Sequence, residues 1–259
     1  MWTRTNLQLG LVNYTVGDFN GDGITDLIIT DANGSFEYTG LSSGGFTANV
    51  WTAPNLTLST DFVAGDFNGD GITDLLITTA NGSFEYTGNR GGGFTANVWT
   101  RTDLSLGKVS YTAGDFNSDG IADLIITDAN GSFEYTGRAS GGFTANVWTN
   151  AAFTMGQVRY AVGDFNGDGA WDLIVTTSGG SNEYLGLSGG GFTANVWTRT
   201  NLTLANTSYT PSDFNGDSRS DLIITDNNGS FEYTGLPAGG FIANVWTNAS
   251  YTYRTTQYF

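Results

Sequence analysis

The 259-residue sequence predicts an all-β protein, a five-bladed β-propeller with four-stranded blades, on three observations. The dipeptide Trp-Thr recurs at Trp2, Trp51, Trp99, Trp148, Trp197 and Trp246, at spacings of 49, 48, 49, 49 and 49 residues. Each interval repeats one order of features: a variable stretch, an aspartate-rich loop, a short apolar run, an aromatic strand, a glycine cluster and a Phe-Thr-Ala-Asn-Val-Trp segment or close variant. Aromatic residues reach 14%, and the apolar runs are rich in Ile, Val, Thr, Tyr and Phe, which fit pleated strands better than helices. The repeats therefore run 2–50, 51–98, 99–147, 148–196 and 197–245, with a partial repeat at 246–259, and the whole of 1–259 reads as one propeller domain. Units of this length bury their apolar faces against their neighbours.

Composition narrows the function. The chain has no Cys and no His, which removes a disulfide framework, the commonest transition-metal ligand and the commonest general base. The formal charge of −16 would repel nucleic acid and anionic membranes if it were spread over the surface, and neither is expected as a partner. No stretch of 18 apolar residues occurs, so membrane insertion is not expected. The chain shows no signal peptide, and an extracellular or cell-surface role is expected of it. The charge is concentrated: 15 of the 25 acidic residues lie in the five loops, and all five Glu hold one equivalent position. A hydrolase needs two carboxylates of separated pKa in one pocket, and Glu dispersed one per repeat argues against an enzyme.

The first loop runs from Asp18 to Asp26 and matches the D-x-[DN]-x-[DN]-G core of a calcium loop. Side-chain oxygens at positions 1, 3 and 5, a carbonyl at position 7 and a carboxylate at position 9 suit a hard cation that takes six to eight oxygens. Gly at position 6 permits the sharp turn. The five candidate ligand sets are Asp18, Asn20, Asp22, Ile24 and Asp26; Asp66, Asn68, Asp70, Ile72 and Asp74; Asp115, Asn117, Asp119, Ile121 and Asp123; Asp164, Asn166, Asp168, Ala170 and Asp172; and Asp213, Asn215, Asp217, Arg219 and Asp221. Up to five calcium ions are expected. Asp, Asn and Gly are also ordinary turn residues. Carboxylates about 4 Å apart, however, repel by up to ~4 kcal/mol per pair at an effective dielectric of 20, so a fold that repeats the cluster five times calls for a cation. Loop 5 replaces the turn Gly with Ser218 and adds Arg219, so it is expected to be the weakest site.

The run Val-Gly-Asp-Phe-Asn-Gly-Asp-Gly-Ile-Thr-Asp-Leu-Ile-Ile at 16–29 resembles the FG-GAP or VCBS repeat of integrin α-subunit propellers and of fungal and bacterial propeller lectins, and every repeat shares it. The resemblance implies a blade in which the calcium loop joins the two inner strands. On that guide, blade 1 has strand A at 12–19, B at 26–30, C at 35–39 and D at 46–51. The Gly-rich turn 42–45 then shares the calcium face, while the turn 31–34 and the linker 52–60 lie on the opposite face.

The opposite face is the expected recognition face. Glu37, Glu85, Glu134, Glu183 and Glu232, with Trp51, Trp99, Trp148, Trp197 and Trp246, are the candidate ligand residues, since an aromatic face takes the apolar side of a pyranose while carboxylates hold its hydroxyls. The competing expectations are that the Trp pack between blades and that the Glu are solvated charges that blunt sheet association. A multivalent lectin for glycans or glycoconjugates, with structural calcium, is the leading functional expectation. An integrin-like protein-binding module, or an engineered or recently amplified repeat without a retained ligand, are the alternatives. The chain is expected to be a monomer or a small homo-oligomer. Residues 250–259 read as a surplus strand that caps the first blade, lies loose or opens a blade completed by another chain.

Overall fold

The computed structural model of this protein describes residues 11–47 and 50–253. Its regular elements are all strands, arranged as five four-stranded antiparallel sheets, one per repeat, as a five-bladed propeller requires. Sheet 1 comprises β1 (Asn13–Gly17), β2 (Asp26–Asp31), β3 (Gly34–Tyr38) and β4 (Trp51–Ala53), in that order. Sheet 2 comprises β5 (Asp61–Gly65), β6 (Asp74–Thr79), β7 (Gly82–Gly88) and β8 (Phe94–Arg101). Sheets 3 to 5 repeat the order: β9 (Ser110–Gly114) to β12 (Phe143–Asn150), β13 (Arg159–Gly163) to β16 (Phe192–Arg199), and β17 (Ser208–Ser212) to β20 (Phe241–Asn248).

Local sequence explains the elements. The second strand of each blade is almost wholly buried, since it is covered on both faces, and it is therefore a continuous apolar run without alternation. The turn from second to third strand demands glycine: Gly131 has φ +141°, and a Cβ there would stand 2.7 Å from the Asn150 carbonyl oxygen. The fourth strand runs past its Trp to Arg101, Asn150, Arg199 or Asn248, two residues beyond the expected end, because its last residues pair with the start of the third strand, as in Ser83 with Arg101. A serine hydroxyl then fastens the linker: Ser83 donates to the Leu104 carbonyl and Ser181 to that of Leu202, each at 2.7 Å.

The start of the C-terminal partial repeat takes that same path. Ser230 donates to the Tyr251 carbonyl at 2.9 Å, and the Tyr253 amide donates to the Asp226 carbonyl at 2.8 Å, as the Leu204 amide does to Thr177. Residues up to 253 are thus the linker that closes blade 5, and 254–259, the rest of the surplus strand, lie outside the described residues.

The described chain divides into two compact units, with residues of the third repeat in both. The first holds the residues up to Ala113 together with Ile121–Ile126 and Tyr135–Ala145. Its core is Phe19, Ile28, Leu75 and Ile77, with Phe62, Tyr86 and Phe94 packed on it, and Leu27, Ile29 and Tyr38 form a second cluster. The second unit holds Gly114–Gly120, Thr127–Glu134 and the residues from Asn146 on, with Phe165, Ile174, Trp197, Leu222, Ile224 and Phe241 at its centre.

Candidate functional site

The candidate Glu and Trp residues build the junctions between blades. In the first unit, Glu37 is fully buried and accepts the Gly93 amide of the next blade at 2.9 Å, and Glu85 accepts the Gly142 amide at 2.9 Å. In the second unit, Glu134 accepts from Gly191 at 2.7 Å and Glu183 from Gly240 at 2.6 Å. Strand pairing sets each Glu opposite a Trp, as Glu37 with Trp51 and Glu183 with Trp197. Trp51, Trp99, Trp148 and Trp197 lie edge-on to Phe94, Phe143, Phe192 and Phe241 of the following blade at 5.0–5.3 Å. These four Glu are therefore neither on an open rim nor solvated, which corrects both expectations for them. Their Trp partners pack between blades. In blade 5, Glu232 is half-buried and Trp246 is exposed.

Burial makes these carboxyls hard to ionise. Glu37, Glu85, Glu134 and Glu183 are each pushed up to about 7 by desolvation, partly offset by the glycine amide that each accepts. The second oxygen of Glu37, Glu134 and Glu183 is buried without a hydrogen-bond partner.

The aspartate loops hold their shape through backbone amides. Asp18 Oδ1 accepts from Gly21 and Asp22 at 2.8 and 3.1 Å, and its Oδ2 accepts from Gly23 at 2.8 Å. Asn20 and Asp22 each accept an amide two residues on. Asp26 is buried and ties the loop to the third strand, accepting from Phe19 at 2.9 Å and Gly40 at 2.8 Å. Loops 2, 4 and 5 repeat the pattern through Asp66, Asp164 and Asp213 and through Asp74, Asp172 and Asp221. The donors are the hard oxygens that calcium takes, and Asp18 Oδ2, Asn20 Oδ1 and Asp22 Oδ1, which accept one amide each, keep a lone pair for an ion. Among the described residues, however, no three carboxylates converge as a metal-binding group. In loop 5, Arg219 is ion-paired with Asp217, and Ser218 adopts φ +70° where Gly23 and Gly71 have +82°, a conformation that costs a residue with a Cβ about 1 kcal/mol.

The structure also contains a pocket that sequence reasoning missed. In the second unit, a cavity of about 320 Å³ lies between the end of β16, the linker that follows it and blade 5, and is lined by Arg199, Asn201, Leu202, Ile224, Asp226, Phe231 and Tyr233. Phe231 and Tyr233 project from β19 (Gly229–Gly235) on the side opposite Glu232 and form its aromatic wall. Asp226 is buried and accepts the Asn228 amide at 2.7 Å. Arg199 stacks over Trp197 at 5.4 Å and forms no ion pair among the described residues. The equivalent Arg101 is instead held by Asp103 at 2.7 Å, where the pocket has Asn201. A signal for this pocket exists in the repeats: Arg and Asp occur together as Arg4 with Asp31, Arg101 with Asp128 and Arg199 with Asp226, and are replaced together by Ala53 with Thr79 and Asn150 with Thr177.

No curated protein matches the chain. Among solved structures, an Agrocybe aegerita lectin that recognises non-reducing terminal N-acetylglucosamine is similar at a TM-score of 0.72 and 18% identity, over 94% of this chain and 70% of that one. The Photorhabdus luminescens Tc holotoxin pore is similar at 0.57 and 21% identity, over 92% of this chain and 12% of that one. At these identities the likeness is one of fold. The FG-GAP-like repeat matches four times in tandem, at 18–77, 66–126, 115–175 and 164–224, each match running from one aspartate loop into the strand after the next. With most of its length in these matches and the loop-and-strand unit present in all five sheets, the chain belongs to the FG-GAP-like repeat family.

Proposed function

We propose that this protein is a multivalent carbohydrate-binding propeller whose sugar pocket is the cavity at Arg199, with calcium supporting its loops. The pocket carries the reading: two aromatic rings offer a face for the apolar side of a pyranose, and Arg199, Asn201 and Asp226 offer donors and acceptors for its hydroxyls. Its volume suits a single sugar ring. The likeness to an N-acetylglucosamine-binding lectin supports the same class of ligand. The recurring Arg and Asp pair supports up to three such sites, in repeats 1, 3 and 5, where five had been expected at the Glu and Trp positions. Weak sites repeated on one chain gain through effective concentration on a glycan-bearing surface.

A glycan array followed by calorimetry with N-acetylglucosamine-terminated oligosaccharides tests this. Arg199→Ala is expected to weaken binding at that site about tenfold, a loss of about 1.4 kcal/mol. Arg90→Ala, on the exposed turn between β7 and β8, should leave it unchanged. A blank array from folded, calcium-treated protein removes the proposal.

The calcium part has its own test. The Asp, Asn and Asp donor sets, five times repeated, support it. Saturation at about 100 times the dissociation constant stabilises the fold by ~2.7 kcal/mol per independent site, so the melting temperature should rise on adding calcium and fall in chelator. Loop 5 should fill last, since Arg219 already engages Asp217. Identical melting curves in calcium and chelator would show that the loops need no ion.

A further inference from the structure

Two arginines at one repeat position have opposite surroundings. In the first unit, the Arg101 guanidinium is closed by a carboxylate of its own chain: Nε donates to Asp103 Oδ1 at 2.9 Å and Nη2 to Asp103 Oδ2 at 2.7 Å, while Nη1 donates to the Tyr135 hydroxyl at 3.1 Å. Two parallel bonds of this kind are the strong geometry between Arg and a carboxylate, and they hold the Asp103 carboxyl below its ordinary range.

In the second unit, Arg199 holds the same repeat position, with Tyr233 where Tyr135 stands and Asn201 where Asp103 stands. The carboxylate that closes Arg101 is therefore missing at Arg199, which faces the cavity. Asp226 lines the same cavity without pairing to Arg199, and its oxygens accept the backbone amide of Asn228 at 2.7 Å and its side-chain amide at 3.3 Å. Trp197 lies under the Arg199 guanidinium at 5.4 Å, and a guanidinium set over a ring still donates from its edge.

We infer that this pocket takes an acidic sugar, a pyranose that bears a carboxylate, and that the carboxylate meets Arg199 in the two-point geometry that Asp103 shows at Arg101. The inference rests on the reading of the cavity as a sugar site. Phe231 and Tyr233 cover the apolar side of the ring, and the Asp226 charge orients it, since it accepts hydroxyls but repels a second carboxylate. Arg101, satisfied by its own chain, is closed to such a ligand. Repeat 1 carries the open pairing in its sequence, Arg4 with Asn6, outside the described residues.

NMR titration of the full-length protein with methyl β-glucuronide and methyl β-glucoside tests this, because the two differ by a carboxylate in place of a hydroxymethyl group. The readout is the Nε–H of Arg199 and the indole N–H of Trp197, which report this pocket alone. The glucuronide is expected to bind about tenfold more tightly, and its advantage should shrink as salt is added. Asn201→Asp should abolish the preference at Arg199, because it supplies the carboxylate that closes Arg101. Asp103→Asn should do the reverse and make the Arg101 Nε–H respond to the glucuronide. Equal affinity for the two glycosides, or an Asn201→Asp variant that keeps the preference, overturns the inference and leaves the sugar reading standing. No response to either glycoside or to N-acetylglucosamine-terminated oligosaccharides ends both. Acetate that binds as tightly as the glucuronide also overturns it, since the ring would then add nothing and an acidic peptide would serve as well.

Discussion

Phe165→Ala is expected to destabilise the protein by about 3–5 kcal/mol, the usual cost of emptying a fully buried phenylalanine site. Phe165 is the second residue of an aspartate loop, and its ring closes the core of the second unit against Ile174, Leu222 and Phe241. The loop that holds it is tied by the Asp172 carboxylate to the Phe165 amide at 2.9 Å, so backbone rigidity limits collapse into the space left. Equilibrium urea unfolding measures the loss directly, and Phe214→Ala supplies the comparison. Phe214 occupies the same loop position but is 43% exposed, so its truncation should cost only about 1–2 kcal/mol. Equal losses for the two variants would mean that burial between blades is not what holds the blades together.

This contrast also marks what the sequence could and could not disclose. Phe19, Phe67, Phe116, Phe165 and Phe214 are identical letters in identical loops, and periodicity assigns them one role. Four are fully buried and one is not, because burial of this ring is supplied by the next blade and not by its own. The period itself, the strands of each blade and the aspartate turns were legible because their causes are local: continuous apolar runs, Asp and Gly at fixed offsets, and glycines that no other residue can replace. The Glu residues were not. Alternation places Glu37 on one side of its strand, but its partner is an amide 56 residues later in the chain, and only the assembled junction brings the two together. The pocket was hidden for another reason. Arg199 and Asp226 lie in stretches that vary between repeats, and their meaning emerges only when the two positions are seen to change together and to face one cavity.

The buried glutamates make a second large effect, on the dependence of stability on pH. Glu134 is pushed up to about 7 by burial, from an ordinary 4.5, with the Gly191 amide offsetting part of the shift. Below pH 4.5 the carboxyl is protonated in folded and unfolded chains alike, and the group favours neither. Between 4.5 and 7 the unfolded chain releases the proton while the folded chain keeps it, so stability falls as pH rises and levels off above 7. The full difference is on the order of 3 kcal/mol for one such group. Glu134→Gln cannot ionise, and its amide carbonyl can still accept from Gly191, while its nitrogen occupies the place where the second oxygen has no partner. The variant should therefore match the wild type at pH 5 and exceed it by about 1–3 kcal/mol at pH 8, as read from urea unfolding at the two pH values. Glu85→Gln should gain by a similar amount, since burial pushes Glu85 up to about 7 even with the Arg138 charge favouring its ionised form. A gap between variant and wild type that is the same at both pH values would show that these carboxylates are ionised in the folded protein across the whole range, with the glycine amides sufficient to hold their charge.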